Sequence, residues 1–261
     1  MVKLEVTGGE LYYEVHGSGP DTIVFAHGGG GNHISWYQQI PHFRGRFRCI
    51  TFDHRGFGQS ADHSGEARAA FGRDLDELLK HLNIESVVLV AQSMGGFTCL
   101  PFAVKNPRRV KALLMADTFL GIWDEHLLAE MAKAVEAAVG SAAAGAQTRM
   151  LGPSFVRDNP TGTFLYQQLR ELTPPRPTSG TALSFGVESG AVLPEQLSSL
   201  TMPVQFIAGE HDEIIPSHLI EAASRMVPGA SFLSVPDAGH SVYFEKPQVF
   251  NRILDDLLSS I

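Results

Sequence analysis

The sequence predicts an α/β fold: a mostly parallel sheet of about eight strands with helices on both faces and an inserted helical cap. Three observations carry this. Short apolar runs rich in β-branched residues recur along the chain, amphipathic helical patterns separate them, and the alternation breaks once, between residues 118 and 200.

The opening segments KLEVTGG and ELYYEVHG alternate apolar and polar residues around a turn, as an antiparallel hairpin at a sheet edge does. The runs at residues 22–28 (TIVFAHG), 47–53 (FRCITFD), 86–93 (SVVLVAQS), 110–117 (VKALLMAD) and 202–210 (MPVQFIAGE) are continuously apolar, as expected of strands covered on both faces. ASFLSVP (230–236) supplies a last strand. Ala67, Ala70, Phe71, Leu75, Leu78, Leu79 and Leu82 recur at helical steps, with Ser64 placed to start that helix. The expected core is therefore 1–117 with 201–261. Residues 118–200, with an alanine-rich helix over 127–139, proline-rich connections and apolar anchors such as Phe155, Phe164, Tyr166 and Phe185, form the cap insertion. Inserted after a strand's carboxyl end, it lies over the edge where open α/β sheets bind ligands.

With 261 residues, 44% of them apolar, the chain can bury an enzyme-sized core. Its net charge of −8, without any basic run, argues against a nucleic-acid partner. No segment reaches the roughly 20 apolar residues of a membrane span, and the N-terminus lacks a signal-peptide core, so a soluble cytoplasmic protein is expected. Cys49 and Cys99 lie in apolar segments and read as reduced structural residues.

The stretch VLVAQSMGGF (88–97) places Ser93 where a buried strand ends and a helix begins. A nucleophile at such a turn needs small neighbours two positions away on each side, and Ala91 and Gly95 supply them. The Met94 N–H, at the helix start, can then donate to an oxyanion. Alone, the pattern also fits a serine that caps a helix. Two further features favour the nucleophile. HGGGGNHISW (27–36) follows a strand and offers the Gly29 N–H as a second oxyanion donor; no Lys-Ser/Thr follows the glycines, which excludes a P-loop. GEHDEIIP and PDAGHSVYFEKP place Asp212 and His240 after the last two strands, in the chain order Ser, Asp, His. His240 would shuttle the proton of Ser93, and Asp212 would orient the imidazole.

With HGGGGNHISW, FDHRGFGQS, AQSMGGF, GEHDEIIP and DAGHSVYFEKP together, the chain resembles the α/β-hydrolase superfamily nearly end to end. Ala91 departs from the usual first elbow glycine, a swap its size permits. HGGGG is similar to the loop of some lipases and esterases; the rest resembles small capped hydrolases such as enol-lactonases and carbon–carbon bond hydrolases of aromatic catabolism. The resemblance implies a serine hydrolase of a small ester or lactone, with carbon–carbon bond hydrolysis as the alternative. It also leaves open the non-hydrolytic members of the fold: lyases, cofactor-free peroxidases and ligand receptors.

Asp117, ending LLMAD, is the alternative triad acid, a position some members of the superfamily use. Trp36, Phe119 and Trp123 flank the site loops and would line a pocket for an apolar or aromatic substrate part. Arg149, Arg157, Arg170 and Arg176 are cap cations that either face solvent or hold a substrate carboxylate. Asp53 and Arg55 in DHRGFGQS are expected to tie that loop's backbone. No metal-ligand motif is present and no cofactor is expected; the partner expected is a small-molecule substrate. The sequence is silent on oligomeric state.

Overall fold

The structure, a computed structural model, describes residues 3–140, 148–173 and 190–261. Strands β1 (Lys3–Val6) and β2 (Gly9–His16) form the expected antiparallel hairpin, with Lys3 opposite Tyr12. They are followed by β3 (Thr22–Ala26), β4 (Arg48–Phe52), the two-residue β5 (Ala61–Asp62), β6 (Val87–Gln92), β7 (Val110–Ala116), β8 (Val204–Gly209) and β9 (Ser231–Val235). The sheet order is β1-β2-β4-β3-β6-β7-β8-β9, with β5 pairing β2 off that path. Every pairing from β4 to β9 is parallel; those made by β2 are antiparallel.

Because side chains alternate across a strand, the apolar runs supply two cores at once. Val24, Ile50, Leu89, Leu113 and Phe206 pack on one face beneath α2 (Phe71–His81), α3 (Gly96–Lys105) and α7 (Ser217–Ser224). Ile23, Phe25, Cys49, Val88 and Leu114 pack on the other, against Trp36, α1 (Gln39–Phe43), α8 (Val242–Glu245) and α9 (Pro247–Leu258). Cys49 and Cys99 are buried free thiols.

Ser64 does not start α2. A 3-10 turn, Ala67–Ala70, precedes the helix, and the Ser64 hydroxyl is turned to Asp62, Glu66 and Arg55. The Phe52–Ser60 loop is tied as expected. Asp53 accepts from the His33 N–H and ring at 2.6 and 2.8 Å and from the Gln59 N–H at 2.7 Å; the buried Arg55 forks onto Asp74 and donates to the Thr7 and Gly8 carbonyls.

Between β7 and β8 the described chain is mainly helical: α4 (Glu125–Gly140), α5 (Pro153–Asp158), α6 (Pro160–Glu171) and a 3-10 segment Pro194–Ser199. The chain leaves and returns at one place, where the Trp123 N–H donates to Val192 O and the Val192 N–H to Gly121 O. Arg176, Phe185 and the 141–146 tract lie outside the described residues. No helix among the described residues is long and apolar enough to cross a membrane.

Candidate active site

Ser93 sits between β6 and α3 with φ +49°, a left-handed conformation in a non-glycine residue. Such strain persists only where the surroundings over-determine it. Here the crossing is tight: a Cβ on Gly95 would strike the Ala26 carbonyl, and one on Gly96 the Leu120 carbonyl. Ala91 is fully buried, in register between Ala26 of β3 and Met115 of β7, which leaves room for a methyl group.

His240, fully buried after β9, bridges the two groups the sequence pairs with it. Its Nε2 lies 2.8 Å from Ser93 Oγ and its Nδ1 2.7 Å from Asp212 Oδ2. The other oxygen of Asp212 accepts from the Ile214 and Ile215 N–H groups at 2.8 and 2.9 Å, so the carboxylate is fixed at both ends. Burial by itself lowers the His240 pKa, but the charge of Asp212 and its hydrogen bond outweigh this, and the net shift is upward. His211 and Glu213, beside Asp212, are exposed.

Asp117 is also fully buried and has φ +52°. Its carboxyl oxygens meet the Gly209 N–H at 3.0 Å and the Val242 N–H at 3.2 Å, so its bonds go to the strand before Asp212 and the helix after His240. Burial, then the Asp212 charge, push its pKa well above the usual carboxylate range. Of the two candidate acids, Asp212 is the one bonded to the imidazole.

The loop after β3 runs alongside Ser93: a Cβ on Gly28 would sit 3.1 Å from Ser93 Cβ. The Gly28 carbonyl accepts from the Gly31 N–H at 3.0 Å and faces His27 Nδ1 at 2.8 Å. In a trans peptide the N–H points opposite the carbonyl, so these bonds also fix the direction of the Gly29 N–H. The Met94 N–H belongs to the first turn after the elbow, where donors lack intrahelical partners.

The pocket candidates divide. Trp36 has no exposed surface; its ring packs on Phe25 at 5.1 Å and Tyr243 at 4.9 Å. It is a core residue, drawn inward because its short 3-10 helix lies on the sheet face carrying Phe25. Phe119 likewise is fully enclosed in the core beneath α3, so neither ring presents surface to a ligand here. Trp123 is half-buried. Among the cap arginines, Arg149 is half-buried, Arg157 is exposed and paired with Asp158, and Arg170 of α6 donates to the Gly29 carbonyl at 2.9 Å.

Sequence reasoning missed the contacts of four residues, one of them, Tyr166, expected only as an apolar anchor. Gln92 donates to the His240 carbonyl at 2.8 Å. Tyr166 of α6 meets Ser241 Oγ at 2.9 Å. Thr173 donates to the Gly31 carbonyl at 2.9 Å. Glu245 accepts from the Gly239, Ser241 and Gly152 N–H groups at 3.0, 3.2 and 2.7 Å. Only Glu245 left a trace in the sequence, as an acid between the apolar run VYF and Lys-Pro. No group of three or more metal-ligating side chains occurs among the described residues.

Residues 21–247 match the model of a family described as the alpha/beta hydrolase fold. The 3-oxoadipate enol-lactonase 1 of Acinetobacter baylyi is 29% identical over 94% of this chain and 92% of its own length. Among solved structures, a thermophilic esterase from Thermogutta terrifontis with malate bound is 27% identical, with a TM-score of 0.79 over 99% of this chain and 98% of that one. The enol-lactonase of Burkholderia xenovorans, 20% identical, shares the fold at a TM-score of 0.79, covering 99% of this chain and 100% of its own.

Proposed function

Given that this chain belongs to the alpha/beta hydrolase family and is a hydrolase enzyme, we propose that it cleaves a small ester or lactone through an acyl-enzyme on Ser93. The observation that carries this reading is the single imidazole of His240, within hydrogen-bond distance of both Ser93 Oγ and Asp212. Ser93 Oγ attacks the carbonyl carbon as its proton passes to His240 Nε2, and Asp212 stabilises the imidazolium. The Gly29 and Met94 N–H groups receive the oxyanion. Collapse breaks the acyl C–O bond, and His240 returns the proton to the leaving alkoxide or enolate. A water then deprotonated by His240 attacks the acyl carbon and frees Ser93.

The segment 118–200 acts as a cap. In support, its α6 and the adjoining Thr173 bond the Gly29 and Gly31 carbonyls, Leu169 O accepts from Asn32, and Gly152 is held by Glu245 beside the histidine. The substrate is a small molecule with an apolar part, consistent with Met150, Leu169 and the ring of Tyr243 along the cleft beside Gly28 and Gln92.

The test is turnover of short p-nitrophenyl esters and lactones by the wild type, Ser93→Ala and His240→Ala. Each substitution should cost about 10⁴- to 10⁶-fold, because triad members act as a unit. Retention of most activity by either variant overturns the reading. Turnover of vinylogous diketones alone assigns carbon–carbon bond cleavage instead.

A further inference from the structure

Several partly or fully buried arginines are paired with acids. Arg55 is matched by Asp74, Arg109 by Asp76 and Arg73 by Glu66. Arg170, half-buried on α6, forms no ion pair with any Asp or Glu among the described residues. Its described partners are the Gly29 carbonyl at 2.9 Å and Tyr166, whose ring centroid lies 5.7 Å away and whose hydroxyl also interacts with the guanidinium. A guanidinium has five N–H donors in a planar fork, and one carbonyl occupies one of them.

The place this cation occupies is specific. It lines a cleft with Gly28, Gly29, Gln92, Tyr166 and Tyr243, bounded by the oxyanion loop and by the residue preceding Ser93. Gly30, at φ +75°, passes so close that a Cβ there would lie 2.7 Å from Arg170 Nη2, so no side chain fits between this loop and the guanidinium. Partial desolvation without a counter-ion is unfavourable, and a carboxylate arriving in the cleft relieves it with charge-assisted, bidentate hydrogen bonds. In a chain of net charge −8, a local cation is also what lets an anionic substrate approach.

We propose that Arg170 is a specificity residue that binds a carboxylate on the substrate, making the substrate class a carboxylate-bearing ester or lactone. This rests on the Ser93 hydrolase reading. The Arg170 bond to Gly29 O is kept in the complex, so the same side chain ties carboxylate recognition to the loop that holds the oxyanion donor.

The experiment compares mono-p-nitrophenyl glutarate with its methyl ester, which has the same chain with the charge capped, in wild type, Arg170→Met and Arg170→Lys. Taking the ratio of the two kcat/KM values within each protein cancels any loss that comes from the Gly29 contact alone. The wild type should favour the free carboxylate by about 10- to 100-fold, the range of a hydrogen-bonded charge pair. The ratio should collapse toward one in Arg170→Met, mainly through KM, and be partly restored in Arg170→Lys. An unchanged ratio in Arg170→Met, or a wild type that prefers the methyl ester, overturns the proposal. Calorimetric titration with glutarate decides the matter independently of turnover. Binding by the wild type that Arg170→Met loses supports the carboxylate site, and no binding by the wild type overturns it. Failure to hydrolyse either ester together with failure of a fluorophosphonate to label Ser93 sinks the hydrolase reading instead.

Discussion

Glu245 grips the backbone on both sides of His240, accepting the N–H of Gly239 at 3.0 Å and that of Ser241 at 3.2 Å. The same carboxylate takes the Gly152 N–H at 2.7 Å from the segment leading into α5, so one buried acid joins the histidine loop to the cap segment. Burial raises its pKa, and the three N–H bonds oppose the shift. Glu245→Gln places an amide NH₂ against donors and should destabilise the protein by about 1–3 kcal/mol. As a positioning residue for His240 it should also lower kcat more than it raises KM. Thermal denaturation beside steady-state kinetics checks both, and a variant with wild-type kcat would show that the histidine loop holds itself.

Asp212 and Asp117 separate by what they touch. Asp212→Asn presents the wrong hydrogen-bonding partner to His240 Nδ1 and should reduce turnover roughly 10⁴-fold with little loss of stability. Asp117→Asn leaves the imidazole contact intact but faces one of the Gly209 and Val242 N–H groups with an NH₂, so its main effect should be a loss of about 1–3 kcal/mol. Parallel kinetics and denaturant melts on the two variants decide between them; the opposite pattern would make Asp117 the triad acid.

The pH dependence of the rate follows from the raised His240 pKa. The base must be neutral, so kcat/KM should fall as pH decreases through an inflection above 6.5, the ordinary value. The contribution of His240 to stability runs the other way: it is fully present below 6.5 and is lost as pH rises through the folded-state value. Removing the Asp212 charge leaves burial to dominate, so the residual activity of Asp212→Asn should have its inflection at lower pH. A rate profile flat from about pH 5 to 8 would argue against a histidine base.

Ala91 is enclosed in register with Ala26 and Met115, so the elbow has room for a methyl group and little more. Ala91→Gly should retain activity at a cost of about 0.5–1 kcal/mol. Ala91→Val overpacks a sheet buried on both faces and should cost about 1–3 kcal/mol, with turnover lost as Ser93 is displaced. Paired melts and burst kinetics on the two variants test this.

The parallel strands were legible because each is covered on both faces, so its apolar run is continuous and bounded by turn residues, as in TIVFAHG and SVVLVAQS. Ser93, Asp212 and His240 were legible because this architecture delivers the carboxyl ends of its strands to one edge, and each residue follows such an end. Choosing Asp212 over Asp117 as the partner of the imidazole needed tertiary structure, since both acids end strands and differ only in which donors reach them. The start of α2 differs from the expectation because the Ser64 hydroxyl is engaged by Asp62, Glu66 and Arg55 and a 3-10 turn, Ala67–Ala70, stands between it and the helix. Trp36 and Phe119 could not be sorted into core or pocket by flanking position, because burial depends on which sheet face the chain packs upon. The contacts of Arg170 and Glu245 lay furthest from view. Their partners, Gly29 at 141 residues' separation and Gly152 at 93, are backbone groups, and a backbone carbonyl or N–H carries no residue signature. Local periodicity and the order of motifs thus determined the fold and the candidate site residues, while long-range hydrogen bonds to the main chain decided how those residues are held.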